Sequence, residues 1–213
     1  MQGFLNKMKI VIMSDVHINS YFSKKEKFLN FLSRINADKL ILNGDIFDIY
    51  LGNPDYSVFE AIKKNKGIIS WEYIRGNHDK EIDKFFPEIE FKDSLEIEDL
   101  LITHGHDTRK KSTFLTKMSV VLRNSIEKVF KFNIRLFLKK ITFGYLDKEL
   151  FKINIDAANK YPDKKVILGH THIPKNEAPY YNCGCMADEF FSYMEIYTEN
   201  GVSNIKLIVE EEE

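Results

Sequence analysis

Five short apolar runs, each ending in residues that can hold a metal or a proton, constrain this chain more than any other feature. Lys9-Ile10-Val11-Ile12-Met13 runs into Ser14-Asp15-Val16-His17, and Leu40-Ile41-Leu42 into Asn43-Gly44-Asp45. Trp71 to Ile74 leads to Gly76-Asn77-His78-Asp79, and Leu100-Leu101-Ile102 to Thr103-His104-Gly105-His106. Val166-Ile167-Leu168 leads to Gly169-His170-Thr171-His172. Apolar runs of this length read as buried strands. In an open α/β sheet the carboxyl ends of the strands line one edge, where ligands bind, so donors far apart in sequence are expected to converge there.

The remaining segments fit an α/β chain. A helix is expected from about Lys24 to Asn36, with Ser23 and Glu26 as a capping box and Phe28, Leu32 and Ile35 as its apolar stripe. Residues 57–65 read as a second helix. Tyr193 to Tyr197 and Ile205 to Val209 read as a hairpin about an Asn200-Gly201 turn, with Glu210 to Glu213 a solvated acidic end. With 213 residues and no repeat or linker, the chain is expected to be one domain, 1–213.

Residues 108–160 are the exception, an expected helical insert or cap. From Arg109 to Lys140 there are ten Lys or Arg against one acid, Glu127, in a chain whose formal net charge is only -1. Leu115, Met118, Leu122, Ile126, Val129 and Phe130 interleave at helical spacing. Residues 108–143 thus read as one or two basic amphipathic helices, equally open to a plain core-packing helix with a lysine-rich face.

The strand-end residues have a common chemistry. Asp15, His17, Asp45, Asn77, His104, His170 and His172 offer carboxylate, amide and imidazole donors, a mixture suited to divalent ions such as Mn²⁺, Fe²⁺ or Zn²⁺. Four of the six histidines are in this set, and His78 and His106 lie in the same motifs, a confinement unlike that of scattered core histidines. Gly44, Gly76, Gly105 and Gly169 each adjoin a donor, where a tight turn or a close backbone approach is needed. Any single Asp-x-His is usually an exposed turn; the ordered set of five motifs is far more specific.

Together, Asp15-Val16-His17, Gly44-Asp45-Ile46-Phe47-Asp48, Gly76-Asn77-His78-Asp79, His104-Gly105-His106 and Gly169-His170-Thr171-His172 resemble, in order, the five signatures of calcineurin-like metallophosphoesterases. The resemblance implies a sandwich of two mixed β-sheets flanked by helices, with a binuclear metal centre at the strand ends. It implies one ion on Asp15, His17, Asp45 and His172, and a second on Asp45, Asn77, His104 and His170, with Asp45 shared. Two divalent ions are implied, Mn first, with Fe, Zn or Ni as alternatives. A hydroxide bridging them would hydrolyse a phosphate ester or anhydride. His78 would stabilise the transition state or protonate the leaving group, oriented by Asp48 rather than Asp79; the plainer role for Asp48 is a helix N-cap. His106 and Arg109 are placed to touch phosphate, with Arg75 a weaker third, although exposed loop residues of this kind are more often neutral.

Within the family the chain most resembles the UDP-2,3-diacylglucosamine diphosphatase-like subgroup, through Gly44 to Asp48, the helices after His104-Gly105, Pro174 and the Asn182-Cys183-Gly184 turn. It departs at His78, where that subgroup carries arginine and where broader phosphatases and phosphodiesterases carry histidine. The expected partner is therefore a phosphorylated small-molecule or lipid-linked substrate, with 108–143 a lid or a surface for an anionic membrane. A small-nucleotide phosphodiesterase, a nuclease and a non-catalytic binding module are the alternatives. Nucleic acid is disfavoured because the local excess of positive charge is confined to the insert, and no obligate protein partner is implied. Cys183 and Cys185 are too close for an unstrained disulfide and too few for a zinc site, and read as small residues on a buried strand. With no secretion signal, they point to a reducing cytoplasm, with peripheral contact at the inner face of the membrane an option.

Overall fold

The computed structural model describes residues 7–106, 113–142, 145–187 and 190–211. Eleven strands form two mixed sheets among these residues. The first sheet contains β1 (Met8–Met13), β2 (Ala37–Asn43), β3 (Ile68–Ile74), β4 (Phe91–Lys92), β10 (Phe190–Glu199) and β11 (Val202–Glu211), in the order β11-β10-β1-β2-β3-β4. Its β1 to β4 run parallel, and β10 and β11 join antiparallel. The second contains β5 (Ser94–Ile97), β6 (Leu100–Thr103), β7 (Lys165–Leu168), β8 (Lys175–Glu177) and β9 (Tyr180–Asn182), in the order β5-β6-β7-β9-β8.

The period-two alternation of strand side chains divides each run between two layers. Ile10, Ile12 and Ile41 meet Leu100, Ile102 and Ile167 in one buried cluster between the sheets. Val11, Met13, Leu40 and Leu42 face the other way, against Phe28 and Leu32 of α1 (Lys25–Leu32) and Val58, Phe59 and Ile62 of α2 (Ser57–Lys64). Leu101, Val166 and Leu168 pack outward on Ala157 and Ala158. The result is helix, sheet, sheet, helix.

Several local expectations shift. No capping box forms: α1 is preceded by Lys24 with no side-chain cap, and the buried Ser23 hydroxyl has no hydrogen-bond partner. The helix stops at Leu32 because Ala37 is already paired with Ile68 in the parallel ladder. The same ladder starts β3 at Ile68, ahead of Trp71. The tail hairpin is longer than the apolar alternation suggests, and Glu210 and Glu211 belong to β11. Its Asn200-Gly201 turn has φ of 55° and 79°, the left-handed pair that a two-residue hairpin turn requires. Cys183 and Cys185 follow β9 and are buried.

Between β6 and β7 stand three helices, α3 (Thr113–Phe130), α4 (Ile134–Ile141) and α5 (Tyr145–Ala158). α3 and α4 occupy the stretch read as one or two basic helices, and α5, in the remainder of the helical insert, carries the Ala157-Ala158 contact with the second sheet. On α3 and α4, Met118, Leu122, Val129, Phe130, Phe137 and Ile141 are exposed by half or more of their surface. Among the described residues no helix is long and apolar enough to cross a membrane.

Candidate metal centre

The loops after β1, β2, β3, β6 and β7 meet at one edge of the sandwich. Asp15, His17, Asp45 and His104 are buried, and His172 nearly so. Three groups of donor atoms lie within 4.8 Å of one another: Asp15, His17 and His172; Asp45, His104 and His170; and His17, Asp48 and His78. The six His and Asp residues expected as ligands fall in the first two of these groups.

The first group is crowded. His17 Nε2 and His172 Nε2 are 3.0 Å apart, and Asp15 Oδ1 lies 3.2 Å from the latter and 3.7 Å from the former. The other oxygen of Asp15 is committed elsewhere, accepting from the Ser14 hydroxyl at 2.5 Å and the His170 N–H at 2.9 Å. In the second group His104 Nδ1 donates to the Asn43 carbonyl at 2.7 Å, which turns Nε2 toward Asp45 Oδ2, 3.2 Å away. Fixing a histidine tautomer through a backbone carbonyl is the usual outer support of a metal ligand.

Asp15 Oδ1, Asn77 Oδ1 and His104 Nε2 are all buried atoms without a hydrogen-bond partner. Lone pairs buried this way are costly unless something electropositive meets them. Hard carboxylate and amide oxygens beside imidazole nitrogens suit a borderline divalent ion, so the residues present fit the metal pair expected from the motifs.

The backbone is strained where the expected ligands sit. Nine non-glycine residues have positive φ among the described residues, and five of them are Asp15, His17, Asp45, His170 and His172. A left-handed residue of this kind costs about 1–2 kcal/mol. Such strain persists only where surrounding contacts over-determine it, and it concentrates at functional sites. Two glycines permit the crowding: a Cβ on Gly76 would lie 2.0 Å from Asp45 Oδ1, and one on Gly169 would lie 2.6 Å from Ser14 Oγ.

Asp48 is buried beside two imidazoles, in contact with His78 Nδ1 and 3.4 Å from His17 Nδ1. No helix begins at Asp48, since α2 starts at Ser57, so it is not an N-cap. Asp79 faces away from His78. Its carboxylate accepts from the Ile46 N–H at 2.9 Å, the Gly76 N–H at 2.6 Å and the Tyr73 hydroxyl at 2.6 Å, tying together the loops that carry Asp45 and Asn77. The His106 ring lies 5.6 Å from that of His104. Arg75 reaches Asp93, 3.4 Å away, rather than the ligand cluster. Arg109 is outside the described residues.

Arg135, one cation of the basic run in the insert, turns inward. Its guanidinium donates to the Thr171 carbonyl, between two of the expected ligands. With Arg123 and Glu127 it lines a small cleft shared with His17 and His172. Sequence reasoning missed Thr171, Asn154 and Ser14 as supports of this centre. Only Ser14 and Thr171 carried any signal, as the residues adjoining Asp15 and His170.

The charges are strongly coupled. Burial would lower the His17 imidazole, but the Asp48 and Asp15 carboxylates raise it to about 10. His104 is raised to about 9 by Asp45 and Asp15 against the same effect of burial. Burial and the neighbouring His104 push His170 down to about 3. Burial favours the neutral acid at Asp15 and Asp45, yet the surrounding histidines hold both carboxyls well below the usual range.

A pH dependence follows. At neutral pH, His17 and His104 hold protons that a metal must displace before it can use their lone pairs. Affinity should therefore rise with pH below those values, by up to about tenfold per pH unit for each proton displaced. Calorimetric titration with Mn²⁺ in buffers of different ionisation enthalpy should show the released protons. Heats independent of buffer, with an affinity flat across neutral pH, would refute this.

Comparison with known proteins agrees with this geometry. Residues 8–205 match the family model described as calcineurin-like phosphoesterase. A UDP-2,3-diacylglucosamine hydrolase of Blochmanniella pennsylvanica is 37% identical over 83 residues, covering 34% of this chain and 32% of that one. The Aliivibrio fischeri protein of the same name is 31% identical over 116 residues, covering 46% of this chain and 48% of that one. The matched segments thus span about a third to a half of those relatives. Among solved structures, Vacuolar Protein Sorting 29 from Cryptosporidium parvum aligns over 97% of this chain and 99% of that one, with a TM-score of 0.48 and 12% identity. With residues 8–205 of the chain matching the family model and the five motifs gathered at one edge, the chain belongs to the calcineurin-like phosphoesterase family.

Proposed function

We propose that this chain hydrolyses a phosphate ester or anhydride at a two-metal centre. Asp15, His17, Asp45 and His172 would hold one ion, and Asp45, Asn77, His104 and His170 the other. The observation that carries this reading is the convergence of buried donor atoms on Asp15, Asn77 and His104 that make no hydrogen bond, beside the facing imidazoles of His17 and His172. Bound divalent ions would supply Lewis-acid stabilisation of the phosphoryl oxygens and a nucleophile at neutral pH.

The protein's own part is positioning and proton transfer. Asp48 holds His78 by Nδ1, so that Nε2 faces the centre, 4.0 Å from Asp45 Oδ2. A His78 fixed in this way can carry a proton on Nε2 and give it to the departing oxygen. The Asp48 carboxyl stays ionised in this role. Burial disfavours its charge, but His17 and His78 outweigh that effect and hold its pKa low.

For the substrate we infer an amphipathic phosphorylated molecule, a nucleotide-linked or lipid-linked diphosphate. The names of the two relatives support this, as do the exposed apolar residues of α3 and α4, helices that also reach the cleft containing His17 and His172 through Arg123, Glu127 and Arg135. A second reading, a water-soluble phosphodiester, is favoured by His78 alone.

Chelator-stripped protein should be inactive on an aryl phosphate and regain activity with Mn²⁺. Activity surviving confirmed metal removal would end the two-metal reading. Comparing an acylated nucleoside diphosphate sugar with its deacylated form tests the substrate half, and the acylated form should be preferred. Equal turnover of the two would leave α3 and α4 without a role in recognition.

A further inference from the structure

The helices between β6 and β7 reach the candidate metal centre through one residue. Thr171 is fully buried between His170 and His172 and is gripped from three elements. Arg135 of α4 donates to its carbonyl oxygen. Asn154 of α5, itself buried, donates to its Oγ1 at 2.9 Å. Asn182, at the end of β9, donates to the same Oγ1 at 3.2 Å and to the Gly169 carbonyl at 2.8 Å. Asn124 of α3 also accepts the N–H of Tyr21, four residues beyond His17, at 2.8 Å. The insert therefore docks on the loops that carry the outermost expected ligands.

The two residues flanking Thr171 are both left-handed, with φ of 66° at His170 and 57° at His172. A turn with two such residues relaxes unless contacts from outside hold it. Besides the Asp15 carboxylate on the His170 N–H, the turn is held through Thr171, and two of the three side chains described on Thr171 come from the inserted helices rather than the sandwich.

We propose that α4 and α5 are part of the scaffold of the metal centre, with Arg135 and Asn154 as positioning residues that hold His170 and His172 in place through Thr171. The proposal rests on the two-metal reading above. It has a reciprocal consequence: if docking of the helices favours the ion-binding form of the turn, bound ions favour docking of the helices by the same factor. Metal occupancy would then order the insert.

Two measurements on the full chain test this, calorimetric titration of chelator-stripped protein with Mn²⁺ and amide hydrogen exchange with and without the ion. Arg135→Ala and Asn154→Ala should each weaken Mn²⁺ binding by about 10–100-fold, the usual effect of losing an outer-shell partner. Thr171→Val, which keeps the shape but removes the shared acceptor, should do the same, and Thr171→Ser should restore wild-type affinity. Lys128→Ala, on the exposed face of α3, should bind as wild type. Mn²⁺ should slow exchange across residues 134–158 in the wild type and no longer do so in Arg135→Ala. Unchanged exchange protection of β1 and β2 would show that the variants keep their sheets. Folded Arg135→Ala and Asn154→Ala proteins with wild-type affinity, or an insert whose exchange ignores Mn²⁺, would overturn the coupling. Wild-type protein that binds no Mn²⁺ would instead overturn the two-metal reading beneath it.

Discussion

Asp45→Asn is expected to reduce Mn²⁺-dependent hydrolysis by roughly 10³-fold, the effect of losing several kcal/mol of charge stabilisation. It should also lower the metal content measured on the purified protein. The substitution is well matched to the site. Asp45 has φ of 53°, a conformation that Asn tolerates, and its Oδ1 accepts the His78 N–H at 2.8 Å, which an Asn side-chain oxygen can still do. Only the negative charge beside His104 is removed. Because the motifs place Asp45 in both ligand sets, both ions should weaken together, whereas Asp15→Asn should weaken one. Retention of both ions and full rate in Asp45→Asn would show that this carboxylate is not shared.

A second large effect is expected at His78. His78→Asn should slow hydrolysis of esters with poor leaving groups by about 10²-fold or more, the usual scale of acid–base catalysis. Esters of acidic phenols, which depart without a proton, should be much less affected. Metal content should stay close to wild type. Asp48→Asn should reproduce part of the loss, since Asp48 touches His78 Nδ1 and sets which ring nitrogen faces the centre. It should also disturb metal binding slightly, because the same carboxylate lies 3.4 Å from His17 Nδ1. The comparison to make is the slope of log kcat against leaving-group pKa. An unchanged slope in His78→Asn would assign the residue to positioning rather than to protonation.

The strands and donors were readable because both signals are local. Ile10 to Met13 is apolar in every residue, and Asp15 and His17 follow at once, so one short window holds strand and chemistry together. The same is true of Val166 to His172. Where an element owes its existence to a distant partner, the sequence was silent. β4, β8 and β9 have two or three residues each and exist through pairing with β3, with one another and with β7. The start of β3 at Ile68 depends on Ala37, far upstream. Ser23 and Glu26 have the spacing of a capping box, yet the chain enters α1 through Lys24 at φ -100° and ψ 45° and the hydroxyl caps nothing.

The supports of the site were hidden for the same reason. Arg135 lies 36 residues from Thr171 and Asn154 lies 17 away, and in the sequence one is another cation in a basic run, the other a polar residue in a helix. Asp79 was visible as the last residue of its motif, but its hold on Ile46 and Gly76 needs the packing of two loops.

The left-handed residues expected as ligands place folding and chemistry in opposition. Asp15, His17, Asp45, His170 and His172 each hold a backbone shape that glycine or asparagine would adopt with less strain. Directed evolution that selects only for thermal stability in the presence of chelator would therefore drift away from these side chains, because the ion that rewards them is missing. The same library selected with metal present would keep them. Stabilised variants of this protein are best sought by screening the metal-loaded form.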